Sequence, residues 1–144
     1  MNHINYQTDF YAWTQQQAKL LRNKEIDRID WCNLAEEIED MGRSEKRQLE
    51  SRLEILIMHL LKWQFQPNFR SRSWQLTIKE QRLRLEKLLA ENPSLKSSLA
   101  DIKEKIYPLA VISAEKETGL SSFPETCTYD LTEIFRHEFF PENN

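Results

Sequence analysis

The fold of this chain is decided by residues 49–61, which read LESRLEILIMHLL. Five of the apolar residues in this segment recur at the spacing that places side chains on one face of an α-helix. They are Leu49, Leu53, Leu56, Ile57 and Leu60. Residues 55–61 are apolar almost all round, a pattern typical of a helix that other helices surround. The sequence therefore predicts a central helix over residues 44–66, between a capping serine and Pro67.

On both sides of this segment, the same spacing predicts further helices. They cover residues 8–23, 30–42, 73–92 and 92–119, with a short one at 130–139. Gly42 is predicted to end the second helix in a left-handed conformation, and Pro93 is predicted to open the fifth. The sequence thus predicts an all-α fold in a single helical domain, 1–144. It is a bundle of five main helices plus a short C-terminal helix, with helix 44–66 central.

The composition excludes several classes of protein. Hydrophobic residues make up 40% of the 144 residues and charged ones 30%, too apolar for disorder and too charged for a membrane protein. Leucine occurs 18 times, valine once and glycine twice, which favours helices over strands and hairpins. The first eight residues lack the layout of a signal peptide. We therefore expect a cytoplasmic protein in which Cys32 and Cys127 are free thiols.

Four polar residues fall where the helical period would place apolar ones. Glu37 lies beside the apolar face of the second helix, and His59 lies within the apolar stretch of the central one. Arg82 is at the edge of the apolar face of the fourth helix, and Glu117 borders that of the fifth. Because a buried charge is stable only when it is paired, we expect these groups to meet. The arginine would then bind a carboxylate through two hydrogen bonds.

This set of residues has three interpretations. It is a structural network that fixes how the helices dock, or it is a catalytic or ligand-binding centre, or the groups are solvated. In a catalytic centre, His59 would be the base and Arg82 would hold an anion. A metal site is not expected, because the chain has no Glu-x-x-His repeat and its three histidines lie far apart in the sequence. No cofactor is expected either, since the known dinucleotide and phosphate-loop fingerprints are absent from the sequence.

Residues 62–74 join two predicted helices and interleave basic with aromatic side chains. The candidate binding residues in this corner are Trp63, Arg70, Arg72 and Trp74. Such a pattern is used to bind single-stranded nucleic acid, and residues 62–87 contain seven Lys or Arg against two Glu. The net charge of −3 argues against a protein that binds phosphate backbones. The alternative, which we favour, is that the two tryptophans pack a helix corner into the core.

Several motifs occur in order along the chain. They are DFYAW at 9–13, LAEEIEDMG at 34–42, HLLKW at 59–63, SRSW at 71–74, NPSL at 92–95 and ETGL at 117–120. Together these motifs resemble those of the bacterial family called domain of unknown function 29. The resemblance spans nearly the whole chain and implies a small helical bacterial protein. It implies no activity, cofactor or ligand.

Three functions therefore remain open from the sequence. The first is a non-enzymatic interaction or regulatory module, which the absence of a recognisable catalytic motif favours. The second is an enzyme or anion binder that uses the inward polar residues, and the third is a nucleic-acid-associated protein that uses the corner at 62–74. A protein partner or self-association is expected in preference to nucleic acid or membrane. Leu76 and Leu83 are predicted on the outward side of the fourth helix, where they would mark a self-association face.

Overall fold

The computed structural model describes residues 4–143 and confirms the all-α fold. Residues 4–143 are 75% helical, the 3-10 segments included, and they contain no β-strand. The α-helices are α1 (Phe10–Arg22), α2 (Trp31–Phe65), α3 (Arg72–Glu91), α4 (Leu99–Thr118) and α5 (Leu131–Phe135). Short 3-10 turns occupy Ile26–Arg28, Pro67–Phe69 and Pro93–Ser98.

Side-chain caps fix where three of these helices begin. Asp9 accepts a hydrogen bond from the backbone N–H of Ala12 at the start of α1, and Ser71 does the same for Trp74 in α3. At α5, Asp130 and Glu133 form a reciprocal capping box. Because each cap satisfies a backbone donor that the helix leaves unpaired, these polar residues set the helix starts.

The predicted helix break at Gly42 is wrong. Residues 30–42 and 44–66 are predicted as separate helices, but residues 31–65 form one continuous helix, α2, so the described chain has four long helices. Within residues 4–143, the left-handed glycine is Gly119, with φ of 75°. A glycine inside a helix costs only about 1 kcal/mol relative to alanine. The next residue, Arg43, makes ion pairs with three carboxylates of the preceding turns, which support the helix across this position.

Replacing Gly42 with alanine is expected to raise the free energy of unfolding by about 0.5–1 kcal/mol. An added Cβ meets nothing within 4 Å at Gly42 or at Gly119, so backbone conformation alone decides the sign at each position. Gly119→Ala is the matched control and should destabilise the protein, since alanine is strained at positive φ. Urea denaturation of both variants tests this. A destabilised Gly42→Ala variant would mean that α2 is broken at this residue.

The predicted start of the fifth helix also differs from the structure. Residues 93–98 form a 3-10 turn, and the α-helix begins at Leu99. The side-chain amide of Asn92 donates to the carbonyl of Leu88, at 3.0 Å. Asn92 therefore satisfies the end of α3 and makes no side-chain cap at the start of the following segment.

The chain divides into two compact units, whose boundary falls between Ser44 and Glu45. The N-terminal unit contains α1, the turn at Ile26–Arg28 and the first part of α2. Two hydrogen bonds join α1 to the residue before α2. The indole N–H of Trp13 donates to the carboxylate of Asp30 at 3.0 Å, and the backbone N–H of Asp30 donates to the side-chain oxygen of Gln17 at 2.8 Å.

The C-terminal unit holds a continuous core around the second part of α2. The five residues of the predicted central stripe are all fully buried, which confirms that stripe. Eighteen buried hydrophobic residues from α2, α3, α4, α5 and Tyr129 form one cluster. Half-buried aromatic residues of the C-terminal segment, including Phe139 and Phe140, pack against it.

Candidate functional site

Arg82 on α3 is fully buried, and its guanidinium binds the end of the chain. The Nε–H donates to the carbonyl of Ile134 at 2.7 Å, and one terminal nitrogen donates to the backbone carbonyl of His137 at 3.2 Å. The other terminal nitrogen donates to the carbonyls of Phe139 at 2.9 Å and Glu133 at 3.3 Å. These acceptors are all backbone oxygens, so Arg82 fixes the segment that follows α4 in place.

Most of the hydrogen-bond donors of Arg82 are already engaged, which disfavours the predicted role of anion holder. Burial lowers the pKa of Arg82 to about 10, and the nearby carboxylate of Glu138 partly opposes that shift. The guanidinium also lies over the ring of Phe140, 5.7 Å from its centroid. Four of its five N–H donors are thus engaged by backbone carbonyls.

Lys62 is a buried charge that the sequence interpretation missed. Its side chain is 8% exposed, and its ammonium pairs with the carboxylate of Glu117 on α4 at 3.3 Å. The same ammonium lies 4.6 Å from the ring centroid of Trp74 on α3. One side chain of α2 therefore connects to both neighbouring helices. The sequence did contain a clue, because Lys62 projects opposite the apolar stripe of α2. A helix that is buried on all sides also buries the residues opposite its stripe.

His59 lies one turn before Lys62 and is half-buried. Its Nδ1 is 2.9 Å from the carbonyl of Ile55, and because a carbonyl can only accept, Nδ1 carries the proton. Burial lowers the pKa of His59, while the Ile55 bond and the charge of Glu117 oppose that shift. The neutral imidazole is therefore favoured relative to an exposed histidine.

The four residues predicted to form one network have separate partners. Glu117 pairs with Lys62, and the negative charge of Glu117 acts to raise the pKa of His59. Arg82 instead binds the backbone carbonyls of the C-terminal segment. Glu37 belongs to the N-terminal unit, where its carboxylate accepts a hydrogen bond from the hydroxyl of Tyr6 and raises the Tyr6 pKa to about 12.

The candidate binding corner at residues 62–74 has its tryptophans covered by cations of the same chain. Arg70 lies over Trp63, 4.9 Å from the ring centroid, and its Nε donates to the Trp63 carbonyl at 2.7 Å. Phe140 packs on Trp63 as well, with ring centroids 4.8 Å apart. Trp74 is covered by the Lys62 ammonium, and Arg72 is exposed. Bases stack on open aromatic faces, so this arrangement favours the packing interpretation.

An exposed apolar stripe on the N-terminal part of α2 was not predicted. The apolar face of the predicted second helix consists of Leu34, Ile38 and Met41. Leu34 is half-buried, but Ile38 is 59% exposed and Met41 is 65% exposed. Trp31, one turn before Leu34, is 55% exposed. We call Trp31, Leu34, Ile38 and Met41 the N-terminal stripe. Its residues follow one another at intervals of three or four positions, the spacing at which one helix packs against another.

Acidic side chains flank the N-terminal stripe. Residues 31–44 contain four carboxylates and one basic residue, Arg43. Glu37 and Glu39 lie on opposite sides of the stripe when the helix is projected at 100° per residue. The stripe is therefore an apolar surface with negatively charged edges.

Two general features of the described residues bear on possible functions. The part of the chain that the structure describes has no group of three or more histidine, cysteine, aspartate or glutamate side chains placed to hold a metal ion. Within residues 4–143, none of the helices combines the length and the apolar character needed to cross a lipid bilayer.

Comparison with known proteins identifies the family. The family model described as "Domain of unknown function DUF29" matches residues 5–140. Because this match spans nearly the whole chain, the protein belongs to that family, as its motifs predicted. No curated protein and no solved structure matches the chain.

Proposed function

We propose that this member of the DUF29 family is a non-enzymatic interaction module and that the N-terminal stripe is its binding surface. The supporting observation is the balance of apolar residues in each unit. Within residues 4–44, three hydrophobic residues are buried and seven large ones are exposed. The exposed ones are Phe10, Tyr11, Leu21, Ile26, Trp31, Ile38 and Met41. In the described part of the C-terminal unit, eighteen are buried and five large ones are exposed.

The energetics of this surface favour a macromolecular partner. Full burial of one large apolar side chain contributes about 1.5–3 kcal/mol, and Trp31, Ile38 and Met41 are each more than half exposed. Contiguous apolar surface of this kind is typical of interaction sites. A tryptophan beside two aliphatic residues also resembles the small groups of residues that dominate binding energy at protein interfaces.

The chemistry of the stripe defines the class of partner. Apolar residues at positions i, i+3, i+7 and i+10 match the side-chain spacing of an amphipathic helix packed alongside. The carboxylates at the edges favour a helix whose apolar face is bordered by lysine or arginine. We therefore propose that the stripe binds a helix with basic flanks. We also propose a cytoplasmic location. The free thiols of Cys32 and Cys127 support it, because thiols stay reduced in that compartment.

Replacing Ile38 with glutamate is expected to weaken helix binding at least tenfold, because the loss of one buried apolar side chain corresponds to about 1.5–3 kcal/mol. The probe is a synthetic amphipathic peptide with leucine at the heptad core positions and lysine on both flanks, titrated by calorimetry. A second peptide with glutamate flanks tests the charge preference. The matched control is Ile112→Glu on α4, since Ile112 is 54% exposed and Ile38 is 59% exposed.

The native protein and the Ile112→Glu variant should bind the lysine-flanked peptide equally, and the glutamate-flanked one more weakly. If Ile38→Glu binds the lysine-flanked peptide as tightly as the native protein, the stripe is not the binding surface. If neither peptide binds the native protein, the proposed class of partner is wrong.

A further inference from the structure

We infer that the basic-flanked helix is α3 of a second copy of this chain. The N-terminal stripe of one copy binds the outward face of α3 in the other, and the reverse contact forms at the same time. This inference rests on the proposed function, because it uses the same stripe, and it adds the identity of the partner.

The outward face of α3 has the required apolar residues. Leu76 is 48% exposed and Leu83 is 51% exposed, as the sequence predicted, and both line a shallow surface depression. They are seven residues apart, the same separation as Trp31 to Ile38 and Leu34 to Met41. Two helical surfaces with a seven-residue repeat can interlock their side chains over about two turns.

The charges of the two surfaces are opposite. On α3, Arg72 and Lys79 lie on one side of the leucines and make no ion pair within residues 4–143. The paired Glu80 and Arg84 lie on the other side, so this face is net positive. The N-terminal stripe has four carboxylates beside it and one cation, Arg43, which pairs with three of them, so its border is net negative. Two N-terminal stripes packed together would bring like charges close, whereas a stripe packed on α3 pairs acid with base. Charge complementarity therefore favours the stripe-to-α3 contact over stripe-to-stripe pairing.

The proposed assembly is a closed, two-fold symmetric dimer. Each copy supplies one stripe and one α3 face, so both contacts are satisfied without a third chain. Association that continues beyond the dimer would overturn this closed arrangement. Stable protein interfaces bury ~1,200–2,000 Å² of surface in total. Two helix contacts bury more surface than one and therefore come closer to that area.

The oligomeric state of the full chain tests this inference. Sedimentation velocity over a range of concentrations should show a monomer–dimer equilibrium for the native protein. Ile38→Glu and Leu83→Glu should each weaken the dimer at least tenfold, since each places a charge in both symmetric contacts. The matched controls on α4 are Ile112→Glu and Leu109→Glu, in which the replaced side chains are 54% and 52% exposed. Both controls should dimerise like the native protein.

A mixing experiment distinguishes the two pairing modes. The Ile38→Glu chain keeps an intact α3 face, and the Leu83→Glu chain keeps an intact stripe. An equimolar mixture should therefore form a heterodimer through one unaltered contact, although each variant alone is monomeric. In stripe-to-stripe pairing, the Leu83→Glu chain would dimerise by itself, and mixing it with the Ile38→Glu chain would add no heterodimer. A mixture without a heterodimer would therefore overturn the inference.

A charge variant provides a test that leaves the apolar residues intact. Lys79→Glu should weaken the dimer severalfold at low salt and less at high salt, because exposed charges are screened. A native protein that stays monomeric at all concentrations, or a Leu83→Glu variant that dimerises normally, would overturn the inference. In either case the lysine-flanked peptide still tests the proposed function separately, through its dependence on Ile38.

Discussion

Replacing Arg82 with alanine is expected to lower the free energy of unfolding by at least about 3 kcal/mol. The guanidinium donates to four backbone carbonyls of the C-terminal segment. Leaving one buried acceptor unpaired costs about 1–3 kcal/mol. Arg82 is also among the largest fully buried side chains, so alanine leaves a cavity whose cost adds to that of the lost bonds. Arg82→Lys should lose most of the stability too, since lysine lacks the planar fork.

The matched control for this prediction is Arg84→Ala, on the same helix. Arg84 is about half exposed and pairs with Glu80 one turn away, so its loss should change stability by about 0.3–0.5 kcal/mol. Urea denaturation measures both variants. Limited trypsin digestion adds a local measurement, because Arg136 lies in the segment that Arg82 holds. If Arg82→Ala is no less stable than Arg84→Ala, the bonds to the C-terminal segment contribute little.

The core of the C-terminal unit could be predicted from the sequence because its pattern has one physical solution. Leu49, Leu53, Leu56, Ile57 and Leu60 form a stripe, and residues 55–61 are apolar almost all round. A helix with that pattern must be covered on all sides in water. The core position of this segment therefore follows from local periodicity alone, without knowledge of which helices cover it.

The partner of Arg82 could not be predicted in the same way. The sequence placed Arg82 at the edge of an apolar face and assigned it a carboxylate, because a buried cation needs an acceptor. Its acceptors are main-chain oxygens 51–57 residues further along the chain. Every residue has a carbonyl, so no side-chain pattern marks those that become acceptors.

The N-terminal stripe was misassigned for a different reason. Leu34, Ile38 and Met41 show the spacing of a helix that buries one face, and the sequence does not say what covers that face. The same apolar period arises whether the cover is another helix of the chain or a separate molecule. Gly42 shows a related limit, because glycine is common both at helix ends and inside helices that tolerate its cost.

Replacing Leu56 or Leu60 with alanine is expected to lower the free energy of unfolding by about 2–5 kcal/mol each. Both side chains are fully buried in the stripe of α2. Close-packed neighbours cannot collapse fully into the space that the lost atoms leave, so a cavity term adds to the loss of apolar burial. Urea denaturation with a shared m-value gives the difference directly.

Leu76→Ala separates this core effect from a general effect of removing leucine. Leu76 is 48% exposed on α3, so much of its side chain is already in contact with water. At protein concentrations below the onset of self-association, its truncation should cost about 1 kcal/mol or less. At higher concentrations the same variant should lose additional stability relative to the native protein, because dimerisation stabilises the folded chain by mass action. Equal losses at Leu56, Leu60 and Leu76 in dilute protein would contradict the position of α2 in the core.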